Sequence, residues 1–235
     1  MKKIFLILVM LVSLVEAKEI YATFNVVAQH DAQLTFIAGG IVNDVRVDVG
    51  SRVHKGDILA TLDNTDIKAM LQSAKITYKF AKRSFERQKK IQKLIDEAKF
   101  DKVTSAYEKA KNSVDYEQAL YEKTFLKAPF DGVIYEKNIE VGDGVSGMML
   151  TTVFKIQSQH HRKLIISFDQ KYYKLVHKGE IFRYSLDGDP RLYKGVITKV
   201  YPHANATNRK LEAEVLVDDV LVGLFGDGYI IIANE

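Results

Sequence analysis

The sequence predicts a mixed α and β chain, elongated and multi-domain. A β-sandwich of two related halves is split by an antiparallel α-helical coiled-coil hairpin and followed by a small antiparallel β-barrel. Three observations carry this reading. The stretch Gly40 to Val53 recurs without a gap at Gly132 to Val145, an offset of 92 residues. Between the copies, Asp66 to Phe125 contains neither glycine nor proline. After Ile156 the texture turns to short alternating strands bounded by turns.

The chain opens on Lys2 and Lys3, an apolar run from Ile4 to Leu14, and Val15-Glu16-Ala17. A basic start, a short apolar core and small or apolar residues before a cleavage point are the pattern of a secretory signal peptide. The run falls well short of the roughly 20 apolar residues that span a bilayer. Residues 1–17 are therefore expected to be removed, leaving an exported chain that begins near Lys18. No cysteine follows to carry a lipid, and the whole chain has none. That excludes disulfides, thiolate metal ligands and thiol nucleophiles, so packing alone must hold the exported fold. The full chain carries 34 Lys+Arg against 30 Asp+Glu, a mild +4 that argues against nucleic acid as a partner.

Within the repeat, Gly40/Gly132, Val49/Val141, Gly50/Gly142 and Val53/Val145 are identical. Each copy reads as two short strands, with Gly40, Gly50, Gly56, Gly132 and Gly142 at structural turns, where glycine alone takes a positive φ cheaply. The halves occupy 36–63 and 126–156, and the strand-like stretch within 18–35 is free to join either β-domain. "VGSRVHKGDILATLD" (49–63) is similar to the strand that leads to the cofactor lysine of biotinyl and lipoyl carrier domains. No Met-Lys-Met or Asp-Lys-Ala hairpin follows, so no cofactor is expected. A helical insertion stands in its place.

That insertion, 64–125, carries Ile67, Leu71, Ala74, Tyr78, Ala81 and Phe85 at alternating steps of four and three. Val103, Tyr107, Ala110, Val114 and Tyr121 repeat the pattern, with Glu117 and Thr124 as polar exceptions. This is coiled-coil seam spacing. The register slips near Leu94 to Ala98, where Asp96 is placed to cap a second helix. Two helices of roughly 28 residues would each extend about 42 Å. With β-halves at both ends, they must run out and back. The insertion holds 14 Lys+Arg against nine Asp+Glu, and Lys82, Arg83, Arg87, Lys89, Lys90 and Lys93 crowd its far end. A solvated face explains such charge, and so does docking on an acidic or carbonyl-rich protein rim.

From 157 to 235 the strands are expected at Leu164 to Phe168, Ile181 to Leu186, Leu192 to Tyr201, Lys210 to Val217 and Tyr229 to Ala233. A short helix is expected over Asp169 to Lys178 and a glycine loop over Leu224 to Gly228. Strands of this number and length suggest a small barrel. The six histidines show no helical two-on-a-face spacing and no carboxylate cluster, so surface histidines are expected rather than a metal site. No nucleophile elbow or phosphate-binding loop is present, so no enzyme is expected.

Together, Gly40 to Asp63, the helical insertion, "KAPFDGVI" (127–134) and "YKGVITKVYPHANATNRKLEAEVLV" (193–217) resemble periplasmic adaptor, or membrane fusion, proteins of the HlyD/RND-adaptor group of tripartite efflux pumps. The likeness runs through the mature chain in the expected order, and "APFDGVI" after a coiled coil is its most specific part. It implies a lipoyl-like domain split by the hairpin, then a barrel. It also implies a ring, trimeric or hexameric, bridging an inner-membrane transporter and a TolC-like outer-membrane channel. The pump is expected to be of RND type, with ABC-type export, type I secretion and metal-ion efflux as alternatives. Hairpin tips in that group contact the channel through a spaced arginine, leucine and serine. The matching positions here are Arg87, Ile91 and Asp96, so isoleucine and aspartate replace two of the three and the tip segment is two residues shorter. The chain ends just after the barrel, and the membrane-proximal domain of many such proteins is expected to be largely absent.

Overall fold

The structure, a computed structural model, describes residues 18–149 and 151–232. The predicted leader over 1–17 lies outside the described residues. Two compact units form: one from residues up to Gln29 together with His160 onward, the other from His30 to Gln159.

In chain order, β1 (Lys18–Ala28) comes first, followed by β2 (Asp31–Leu34), β3 (Gly40–Val45), β4 (Arg52–Val53) and β5 (Ile58–Leu62). Two helices follow, α1 (Thr65–Lys90) and α2 (Glu97–Glu122). The chain then returns through β6 (Phe125–Lys127), β7 (Gly132–Lys137), β8 (Gly144–Val145) and β9 (Phe154–Ser158). The last stretch holds β10 (His161–Asp169), β11 (Ile181–Leu186), β12 (Tyr193–Val200), β13 (Lys210–Asp218) and β14 (Phe225–Ile232).

The His30–Gln159 unit is a sandwich of two four-stranded sheets, β2-β9-β7-β4 and β6-β5-β3-β8. Leu59, Leu62, Ile134, Phe154 and Ile156 are fully buried in its core. The repeat is reciprocal in its hydrogen bonds. Val42 N–H donates to Asp143 O (2.8 Å), and Ile134 N–H to Ser51 O (3.0 Å). Gly50 N–H donates to Ile134 O (2.7 Å), and Gly142 N–H to Val42 O (2.9 Å). Each bond maps onto its counterpart under the same 92-residue offset, so each half supplies what the other half's turn needs. Gly50 and Gly142 carry positive φ, 88° and 95°, and Gly56 does the same at 92°. Gly40 and Gly132 are a correction: neither is a turn residue, since each opens a strand. At Gly132 the requirement is space, because a Cβ there would lie 2.4 Å from the backbone oxygen of Gln157.

The other unit is a closed six-stranded barrel, β1-β10-β13-β12-β11-β14. Strand β1 pairs along β14 on one side and β10 on the other, so Lys18–Ala28 belongs to the barrel, while β2 lies in the sandwich. In its core Phe24 meets Phe182 and Tyr184 edge to face, and Tyr184 stacks against Phe182 and Tyr193. Two expectations fail here. The helix over Asp169 to Lys178 is only a 3₁₀ turn, Gln170–Tyr172, whose first N–H groups are met by the Asp169 side chain at Lys171 N. The glycine loop over Leu224 to Gly228 is strand: Gly226 and Gly228 lie within β14. A Cβ at Gly228 would sit 2.3 Å from Arg183 O and 2.8 Å from Tyr184 Cβ, so close strand approach demands glycine where the sequence suggests a bend.

Candidate docking site at the hairpin tip

The two helices are 26 residues each, about 39 Å at 1.5 Å per residue. That is slightly shorter than expected because the reversal uses six residues. Leu71 and Ala110 are buried between them, and the rest of the seam is half-buried. Three ring contacts set the register: Tyr78 with Tyr107 (5.7 Å), Phe85 with Phe100 (5.9 Å) and Phe85 with Tyr107 (4.8 Å). The polar exceptions differ in kind. Thr124 Oγ1 donates to Tyr121 O and accepts from Asn64 Nδ2, tying the end of α2 to the start of α1. Glu117 places Oε2 in the seam without a hydrogen-bond partner.

At the tip, α1 ends at Lys90, and Ile91 N–H closes the last turn on Gln88 O. A 3₁₀ turn, Gln92–Leu94, reverses the chain, and Ile95 is extended. Asp96 then caps α2, its Oδ1 accepting from Ala98 N–H (2.7 Å) and Lys99 N–H (3.3 Å). Arg87, Lys89 and Lys90 occupy the last turn of α1, where cations complement the helix dipole. Glu86 is drawn toward Lys82 at 4.0 Å, so it does not neutralise Arg87.

Arg87 and Ile91 are therefore exposed on the same end of the hairpin, and Asp96 stands beside them with its carboxylate engaged as a cap. Leu94, which the sequence reading passed over, is the most prominent apolar group there at 84 % exposure. Its signal was an apolar residue inside a break between two seams. The tip is thus an apolar knob, Ile91 and Leu94, collared by Arg87, Lys89, Lys90 and Lys93. An exposed apolar knob of this kind is a feature of interaction surfaces, and the cations around it attract acidic or carbonyl groups.

Elsewhere the chemistry is structural. A cleft of about 620 Å³ on the barrel wall is lined by Tyr21, Asp187, Asp189, Phe225 and Asp227. Hydrogen bonds from Arg191 and Tyr193 hold the Asp189 carboxyl well below the usual range. This commits it to the loop. His160 and His161 do not stand alone: they lie 3.7 Å and 3.1 Å from Asp219 and Asp218. Among the described residues, no group of three or more His, Cys, Asp or Glu is placed to hold a metal ion.

The family described as CzcB-like, barrel-sandwich hybrid domain, matches residues 31–157. The chain belongs to this family, within the adaptor group its sequence resembles. It is 30 % identical over 124 residues to the cobalt-zinc-cadmium resistance protein CzcB of Cupriavidus metallidurans, covering 46 % of this chain and 24 % of that one. It is 24 % identical over 192 residues to an uncharacterised Haemophilus influenzae protein, covering 80 % of this chain and 49 % of the relative. The chain thus spans about half or less of these curated relatives. Among solved structures, a MacA–MexA chimera containing the Pseudomonas aeruginosa MexA α-hairpin domain superposes with a TM-score of 0.84 at 20 % identity. That match covers 93 % of this chain and 83 % of the chimera. This likeness bears on the fold alone.

Proposed function

We propose that the protein is a non-enzymatic periplasmic adaptor. In this reading it links an inner-membrane efflux transporter, of RND type, to a TolC-like outer-membrane channel for the export of small molecules. The observation that carries it is the hairpin itself. A carrier-type sandwich whose halves close on each other by reciprocal hydrogen bonds has, in place of a cofactor hairpin, two 26-residue helices ending in an apolar, cation-collared tip. Such a part reaches for another protein and holds no substrate.

In this reading Arg87 and Ile91 touch the channel, Asp96 shapes the tip as a cap, and copies of the chain associate into a ring. The leader directs export to the periplasm. Energy comes from the transporter, and the barrel faces it.

Metal ions are the second reading of the cargo, favoured by the family match and by the name of the Cupriavidus relative. They would be carried by the pump, since the described residues offer no cluster to hold them.

The test is co-purification after cross-linking in cells that express the chain with its neighbouring genes. Recovery of a multi-span transporter and an outer-membrane channel is the expected result. Recovery of neither would overturn the adaptor reading.

A further inference from the structure

The cleft on the barrel wall is formed by strand register and a pinned loop. Asp227 of β14 pairs with Thr23 of β1 on one side and Ser185 of β11 on the other. Side chains in one cross-strand row share a face. That face is the outer one, because a Cβ on Gly226 or Gly228, beside Asp227, would point at Phe24 or Tyr184 in the interior. Tyr21 and Phe225 lie two residues from Thr23 and Asp227, and antiparallel pairing puts them on opposite sides of the row. They are 54 % and 57 % exposed. The Tyr21 ring meets Tyr229 edge-on at 5.8 Å, and its hydrogen bond to Asp227 pushes the phenol up.

The remaining wall is the connection from β11 to β12. Asp187 N–H donates to Phe225 O (3.0 Å) and Asp189 N–H to Leu186 O (3.0 Å). The Asp189 carboxylate accepts from Arg191 Nη2 (2.7 Å) and the Tyr193 hydroxyl (2.8 Å). The cleft of about 620 Å³ is thus shaped before any guest arrives, and its volume is that of a small-molecule site. No Lys or Arg lines it. The nearby cations are engaged, Arg191 by Asp189 and Arg183 by Glu19. Among the described residues, Asp187 and Asp227 have no ion-pair partner, so a chain of net charge +4 presents here a negative cleft between exposed rings.

We infer that this cleft binds a lipophilic organic cation, its charge near Asp227 and Asp187 and its apolar groups against Tyr21 and Phe225. The carboxylates attract the charge. The ring faces add cation–π attraction. A large ion with spread charge also gives up less hydration than a compact one. A bare metal ion fits poorly, because no group of three or more ligating side chains is placed to hold one among the described residues. An anion is repelled, and a neutral guest forgoes the attraction of the carboxylates. The inference concerns a small molecule held by the barrel and does not depend on what the hairpin contacts.

Tetraphenylphosphonium and tetraphenylborate, ions of one shape and opposite charge, make the test. Each is titrated into the purified, isotope-labelled chain, and backbone amide shifts are followed by NMR. Tetraphenylphosphonium should saturate, with shifts centred on Gly188, Gly226 and Asp227, and tetraphenylborate should leave these amides unmoved. Asp227→Asn should weaken binding about tenfold, as expected of one partly screened charge contact. Phe225→Ala should weaken it about fivefold, the worth of one ring face. Asp187→Asn should also weaken it, and Asp101→Asn on the hairpin should not. All four positions are exposed, and unchanged amide shifts elsewhere confirm the fold. Arginine amide, a cation without aryl surface, should compete about tenfold less well than the phosphonium. Equal competition would assign the cleft to a protein side chain and overturn the lipophilic class. No saturation, equal shifts from the borate, or unchanged binding in both Asp187→Asn and Asp227→Asn would overturn the site itself.

Discussion

The rings of Phe85 and Tyr107 lie face to face, centroids 4.8 Å apart and planes 10° from parallel. This stack, near the far end of the seam, fixes how the two helices are registered. Phe85→Ala is expected to lower hairpin stability by about 1 kcal/mol beyond its lost area, the usual worth of such a pair. Hydrogen exchange should quicken in the outer turns of α1 and α2 while β10 and β13 are unchanged. Equal quickening in the barrel would show that the stack is not a local lock.

Glu117 Oε2 sits in the same seam with no donor. Replacing it with leucine removes an unpaired polar group and continues the apolar stripe, so Glu117→Leu is expected to stabilise the hairpin by about 1–3 kcal/mol. A helix-selective melt reads this, and a lower midpoint would show that the carboxylate has a partner of its own.

Gly132 and Gly144 give a paired test of the sandwich. A Cβ at Gly132 would meet the Gln157 carbonyl at 2.4 Å, whereas one at Gly144 meets nothing within 4 Å. Gly132→Ala should cost about 1–3 kcal/mol, the usual range for overpacking. Gly144→Ala should stay within about 0.5 kcal/mol. Denaturant midpoints that rank the two the other way round would contradict the reciprocal packing of the halves.

Alkaline pH tests the tie between β7 and β2. Burial, then the hydrogen bond to Asp31, pushes the Tyr135 phenol from 10.0 up to about 12. The folded state thus favours the protonated phenol. Its contribution is complete below pH 10 and is lost as pH rises through about 12. Stability should fall across that window, and Tyr135→Phe should flatten the fall, read by denaturant melts at stepped pH. An unchanged slope in the variant would assign the alkaline loss elsewhere.

The sequence is most legible where one period or one repeat governs the chain. The seam residues and the break at Asp96 follow from spacing, because burial along a helix pair depends on little else. The repeat shows the sandwich because each half had to keep the glycines and apolar positions that the other half contacts. Legibility fails where tertiary approach overrides local preference. Gly226 and Gly228 read as a loop, yet they are strand because Phe24 and Tyr184 crowd the barrel interior. Asp169 to Lys178 has helical composition but only three residues of 3₁₀ turn, since Val176 is drawn into the barrel core. At the tip, matching to a spaced pattern placed weight on Asp96, whose side chain is a cap, and passed over Leu94, an apolar residue in the break whose 84 % exposure the turn geometry sets.

Export activity in cells carrying Arg87→Glu tests the central claim most directly. The residue is exposed, and among the described residues it has no ion-pair partner, so its reversal should leave the fold and the amount of protein unchanged. The adaptor account predicts that export falls to the level of cells lacking the chain. Normal export with abundant, folded Arg87→Glu protein would contradict docking through the tip.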